Sequence, residues 1–192
     1  MGGSGEPREG DSPPHLPVVV SSEVVYQGQV VSMRVDEITL PQGGLTTRVV
    51  VDHPGAVVMI ALDDQQRVFL VEQYRHAIGR MLLELPAGTL EPGEEPLVAA
   101  KRELREEVGV MAEEWKYLGS FYSSPGFVNE HLHVFVALGL TEQGADPDFD
   151  EDLTVLRIPL SELRHRLSEI PDAKSLAALH LLEKDPDYGK LA

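Results

Sequence analysis

With 192 residues, 42% of them hydrophobic and 25% charged, the chain has the composition of one compact soluble domain carrying a modest extension. It has no cysteine, which excludes a disulfide framework, a thiolate zinc site and a thiol nucleophile, and no apolar stretch approaches the roughly 20 residues of a spanning helix. A formal charge of −16 opposes binding to nucleic acid, so an anionic substrate needs cations bound with it, and an N-terminus without a signal-peptide pattern predicts a cytoplasmic protein.

Residues 1–16 are rich in Gly, Pro, Ser and Glu and bury too little apolar surface to offset their ordering entropy, which predicts a flexible tail. An N-terminal strand region follows over 17–55. In it the β-branched runs 18–31, 34–40 and 46–51 read as strands, with 41–44 as a turn. Residues 56–192 read as the main domain. It opens with apparent hairpin strands at 56–62 and 68–74 around a turn at 63–66, and its clearest helix is 94–108. Strand-like runs at 115–122, 131–140 and 153–158 come next, with helices at 160–167 and 173–183. Strands in this proportion with helices at the side predict an α/β (α+β) sandwich around a mixed sheet.

The helix 94–108 carries two patterns. Leu97, Ala100, Leu104 and Val108 recur at helical spacing and predict a face packed on the sheet. Glu103, Glu106 and Glu107 stand at i, i+3 and i+4, which gathers three carboxylates on a neighbouring strip. Like charges at that spacing repel, so either Arg102 and Arg105 screen them on a solvated face or a divalent cation joins them. Hard ions such as Mg²⁺ take oxygen ligands and suit clustered carboxylates beside a diphosphate. The preceding loop, 86–94, holds two glycines and two prolines, so its backbone is shaped for close approach to a ligand. Gly109 fits a left-handed helix stop.

Gly88, five residues, Glu94, seven residues and then Arg102-Glu103-Leu104-Arg105-Glu106-Glu107-Val108-Gly109-Val110 match every specified position of the Nudix box, and in this the chain resembles the Nudix hydrolases. The resemblance implies a Nudix-type α/β/α sandwich and hydrolysis of a diphosphate linked to a nucleoside, with Mg²⁺ or Mn²⁺ as cofactor. It also implies that Glu103, Glu107 and the Ala87 carbonyl are metal ligands, that Glu106 is a further ligand or a base, and that Arg102 and Glu94 are orienting groups. Beyond the box, from about 22 to 182, the chain is similar to the ADP-ribose pyrophosphatases, most tellingly in Ser124-Pro125-Gly126-Phe127 followed by Glu130.

That likeness implies ADP-ribose as substrate, with AMP and ribose 5-phosphate as products. It implies a substrate loop at Gly126, Phe127 and Glu130, a phosphate contact at Arg75, and recognition by Arg48 and His53. Val30 and Val31 fall where some relatives carry adenine-stacking rings, and valine offers no π face. It places the general base in the acidic stretch 148–152, with Glu151 ahead of Asp150 and Glu106, although Phe149 departs from the pattern there. It also implies a homodimer built through the N-terminal strands. His131 and His133 alternate on one strand without the flanking residues of a zinc site. The competing readings are hydrolysis of another nucleoside diphosphate derivative, such as a nucleotide sugar or dinucleotide, and a nucleotide sensor without turnover.

Overall fold

The computed structural model describes residues 16–144 and 153–188. The chain divides into two compact units between Asp52 and His53.

In the first unit, β1 (Val19–Gln27), β2 (Ser32–Thr39) and β3 (Leu45–Asp52) form an antiparallel sheet in the order β1-β2-β3. The expected strand over 18–31 ends early because residue 28 turns the chain, its N–H donating to the Val31 carbonyl at 2.9 Å. Arg34 crosses the sheet as a clamp, with Nε on Asp36 at 3.0 Å and Nη1 on Asp52 at 2.6 Å. Every residue of β1 is exposed, among them Val19, Val20, Val24, Val25 and Tyr26.

The second unit is built on β4 (Ala56–Ala61), all six residues of which are buried. Such an unbroken apolar run suits a strand covered on both faces. It pairs parallel with β9 (His131–Glu142) and antiparallel with β7 (Ala87–Thr89), and β8 (Val110–Tyr122) completes a mixed sheet in the order β7-β4-β9-β8. The other sheet is antiparallel in the order β10-β5-β6, from β10 (Leu153–Pro159), β5 (Arg67–Arg75) and β6 (Arg80–Glu84). β6 is short and lies in a stretch without a sequence expectation, and β7 is a three-residue strand inside the loop expected over 86–94, formed because its backbone pairs with β4.

The expected hairpin of 56–62 with 68–74 is a corner between these sheets. Its turn forms, with Asp63 Oδ1 accepting from the backbone N–H of Gln65 and Arg67, and Leu62 bridges Val68. Past that bridge the strands part, because both edges of β4 are taken by β7 and β9.

Alternation along β4 feeds two cores. Val57, Met59 and Ala61 pack with Ala99, Ala100 and Leu104, while Val58, Ile60 and Leu62 pack with Leu160, Leu163, Ala178 and Leu182. Each large side chain taken fully out of water contributes about 1.5–3 kcal/mol before the entropy of ordering is subtracted. The layers are therefore helix, sheet and helix, with α1 (Pro96–Glu103) on one face and α2 (Leu160–Leu163) and α3 (Ala173–Lys184) on the other. A 3₁₀ segment over Arg164–Glu169 replaces the end of the expected helix 160–167. No helix among the described residues is long and apolar enough to cross a membrane.

The expected helix 94–108 differs in two respects. Leu97 is 38% exposed, and Ala99 takes the inward place, its small side chain allowing close approach to β4. After Glu103 the helix widens into a π turn, Leu104–Val108, which Gly109 ends at φ 75° in the left-handed region. π turns re-aim the side chains that follow them and recur at functional sites.

Candidate active site

The end of α1 and the widened turn after it decide where the glutamates point. The sequence pattern placed them on a strip beside the apolar face, but Glu103 and Glu107 turn inward, at 9% and 4% exposure, and Glu106 stays half-buried. Glu107 Oε2 accepts the Ala87 N–H at 3.1 Å. Glu103 lies over residue 88, so close that a Cβ there would be 1.9 Å from its Cδ. Only glycine fits beneath that carboxylate.

Arg102 organises the cluster. Its Nη1 donates to Glu103 Oε1 at 2.7 Å and to Glu106 Oε2 at 3.1 Å, while Nε and Nη2 hold the two Glu94 oxygens and Nη2 also reaches the Thr89 carbonyl. Glu94 Oε2 in turn accepts the Glu91 N–H at 3.0 Å and closes the turn before α1. The hydrogen bond from Arg102 holds the Glu94 carboxyl below the usual range against its partial desolvation, and hydrogen bonding to Glu94 raises the Arg102 pKa further. One guanidinium thus ties the box loop to the box helix.

The donors of this cluster are all oxygen, which suits a hard divalent ion. Among the described residues no three Asp, Glu or His side chains converge as a ready ligand set, and Arg102 occupies one oxygen each of Glu103 and Glu106. A cation binding there competes with Arg102 for those oxygens.

Ala87 and Gly88 carry the cluster to the wall of a cleft of about 390 Å³, which is also lined by His53, Arg75, Glu84, Glu130, Asp172 and Lys174. His53 and Glu130 lie side by side in its lining, Nε2 to Oε1 at 3.8 Å, and the backbone N–H of His53 donates to Asn129 Oδ1 at 2.8 Å. Arg75 grips Glu84 through two hydrogen bonds of 2.9 and 2.7 Å. Of the residues expected to meet substrate, the structure brings together His53, Arg75 and Glu130 beside Ala87. Gly126 and Phe127 form the turn after β8, with Phe127 57% exposed, and they do not line this cleft. Arg48 belongs to the first unit and donates to the Thr47 carbonyl at 2.9 Å. Glu151, with the stretch 148–152, lies outside the described residues.

Glu84, Asp172 and Lys174 were not singled out in the sequence. The available signal for Glu84 was one charge inside the apolar run 81–85, and for Asp172 its place as N-cap of α3, where its side chain accepts the Ser175 N–H. A second groove of about 450 Å³ is lined by Leu160, Leu163, Leu176 and other leucines, with His180 and Glu183 at 3.9 Å from each other. The His131 and His133 rings lie tilted to each other with centroids 4.4 Å apart, and burial and then the neighbouring His131 push the His133 pKa down.

The Nudix domain model matches residues 52–179, which takes in every residue lining the cleft, all of α1 and the first part of α3. The chain belongs to the Nudix family. Several relatives cover most of it. An ADP-ribose pyrophosphatase of Mycobacterium tuberculosis is 41% identical over 83% of this chain and 80% of its own, and one of Bacillus subtilis is 37% identical over 85% and 91%. A methanol dehydrogenase activator of Bacillus methanolicus is 40% identical over 85% of this chain and 91% of its own. Among solved structures, an ADP compounds hydrolase superposes with a TM-score of 0.78 over 88% of this chain and 92% of its own, at 23% identity, and so shares the fold. This Nudix chain therefore has the α/β/α architecture expected of it, and it is a hydrolase of that family.

Proposed function

We propose that this Nudix hydrolase splits ADP-ribose with water into AMP and ribose 5-phosphate. The observation that carries the reading is the seam at Ala87-Gly88, where a cluster of box glutamates meets a cation-bearing cleft. The two relatives named ADP-ribose pyrophosphatase support the choice of substrate.

Glu103, Glu107 and the Ala87 carbonyl would hold the divalent ion, with Glu106 as a further ligand, and Arg102 and Glu94 keep those carboxylates in place. Mg²⁺ or Mn²⁺ bound there polarises the phosphoryl oxygens and lowers the pKa of water. A chain of charge −16 repels the substrate overall, so Arg75 supplies local attraction by pairing phosphate oxygens. His53 and Glu130 offer hydrogen bonds to sugar hydroxyls, Gly126 and Phe127 shape the loop before Glu130, and Arg48 is a further substrate-recognising residue.

Glu151 accepts the proton of the attacking water as its oxygen bonds to phosphorus and the phosphoanhydride bond breaks. A carboxylate free of metal retains the lone pairs that this transfer needs. A second copy of the chain covers the exposed valines of β1 and makes a homodimer. The working location is the cytoplasm, and the partner is a small nucleotide.

The test is a panel of ADP-ribose, nucleotide sugars and dinucleotides with Mg²⁺ or Mn²⁺, read by product identification. ADP-ribose should be turned over with the highest kcat/KM, giving AMP. A nucleotide sugar preferred over it would reassign the substrate.

A further inference from the structure

The base of the cleft holds more charge than the reaction assigns. Glu84, at the end of β6, is 1% exposed and carries two cationic partners. Arg75 binds it through Nε and Nη2, which leaves Nη1 outside the pair, and Lys174 Nζ binds the same Oε2 that Arg75 Nη2 reaches. Burial alone pushes the Glu84 pKa up, but hydrogen bonds from Arg75 and the charge of Lys174 outweigh it and hold the carboxyl below the usual range.

Lys174 is itself anchored. Its ammonium donates to Asp172 Oδ2 at 2.9 Å, and the same oxygen accepts from Ser175 N at 3.0 Å and Ser175 Oγ at 2.6 Å. That hydroxyl receives the Leu85 N–H at 2.7 Å, so the first turn of α3 is laced to the residue following Glu84. The lysine stem is mostly buried, and its head is fixed by two carboxylates.

A buried carboxylate with one cationic partner holds that partner tightly, because separating them leaves an uncompensated charge in a low dielectric. If Arg75 were the only cation on Glu84, a phosphate drawing on the guanidinium would do so at the expense of that pair. A second cation relieves the conflict. We propose that Lys174 is a positioning residue, neutralising Glu84 from the α3 side so that Arg75 can serve the buried carboxylate and a phosphate of the substrate at once. The inference rests on the reading that this cleft takes a diphosphate.

The experiment is a double-mutant cycle on the full chain, titrating inorganic pyrophosphate with Mg²⁺ calorimetrically into wild type, Lys174→Met, Arg75→Ala and the double variant. Contacting residues in one network couple strongly. Lys174→Met should weaken binding by about 5–20-fold in the wild-type background and by less than about 2-fold with Arg75→Ala. Lys174→Arg, which keeps the charge, should stay within about 2-fold of wild type, and near-native circular dichroism should accompany each variant included in the cycle. Equal losses in both backgrounds, no loss in Lys174→Met, or no pyrophosphate binding by wild type would each overturn the proposal. A wild type that binds pyrophosphate with this coupling but leaves ADP-ribose intact would defeat the substrate reading alone.

Discussion

The Glu103 carboxyl group lies where a side chain on residue 88 would have to stand, with its Cδ 1.9 Å from the position of a Cβ there. The loop and helix of the box are thus interlocked at a single point, and the backbone of β7 forms the seat for a carboxylate from the end of α1. A methyl group at residue 88 must displace either the β7 backbone, which pairs with Val57, or the Glu103 side chain. We expect Gly88→Ala to weaken Mn²⁺ binding and to lower kcat at least about 10²-fold, as loss of a metal-held nucleophile should. Calorimetric Mn²⁺ titration checks this, and wild-type affinity in the variant would mean that the position of Glu103 is not what glycine preserves.

Glu103→Gln and Glu107→Gln test the ligand assignment directly. Each keeps the shape of its side chain, exchanges one acceptor oxygen for an amide donor and removes one negative charge. Turnover should fall at least about 10²-fold in each. Glu107→Gln should also disturb the Ala87 N–H contact, visible as faster amide exchange at Ala87. Near-normal kcat in either variant would remove that residue from the ligand set.

The general base separates Glu151 from Glu106. Since Glu106 bonds Arg102 through Oε2 and Arg105 through Oε1, a base on the helix would take its proton on an oxygen already bonded to a guanidinium. Glu151→Gln should lower kcat by about 10²–10⁴ with little change in ADP-ribose affinity. Steady-state kinetics beside equilibrium binding for Glu151→Gln, Asp150→Asn and Glu106→Gln decides it. Loss of turnover in the Glu106 variant alone would move the base to the helix.

Glu84 gives the fold a defined acid limb. Its pKa lies below the ordinary glutamate value of 4.5, so the folded state releases this proton more readily than the unfolded chain does. The resulting stability is fully present above about pH 4.5 and is lost as pH falls through the lower folded-state value. Asp172 is shifted in the same direction: desolvation raises it, and the charge of Lys174 and the bonds from Ser175 more than offset that. Glu84→Gln should cost about 3–5 kcal/mol at neutral pH, since it leaves Arg75 and Lys174 without their shared anion. It should also flatten the fall in stability below pH 4.5, and chemical denaturation at several pH values measures both effects. An acid limb as steep as that of wild type would show that Glu84 does not titrate with folding.

How much of this was legible in the sequence follows from the range of the forces involved. The box helix, its glycine stop and the strands of the N-terminal region are set by local spacing and turn chemistry, and they stand close to where the sequence put them. The corner at 62–68 was read as a hairpin because a tight turn between two apolar runs looks the same whether or not its strands stay paired. The partners that separate them, β7 and β9, arrive from 26 and more residues further along the chain. The inward turn of Glu107 follows a π turn that helical periodicity does not encode, whereas Glu103, still on α1, shares the buried face of Ala99 and Ala100. Arg75 could be named from its motif, but its partner Glu84 and the second cation Lys174, 90 residues from that carboxylate, meet only through the tertiary fold.

The central claim is tested most directly by ³¹P NMR of ADP-ribose with micromolar enzyme and Mg²⁺, followed with and without excess chelator. The diphosphate resonances should be replaced by those of AMP and ribose 5-phosphate in equal amounts, and the chelator should stop the conversion completely. ADP-ribose that stays intact with Mg²⁺ and with Mn²⁺, or that is cleaved equally fast under chelation, would contradict the account.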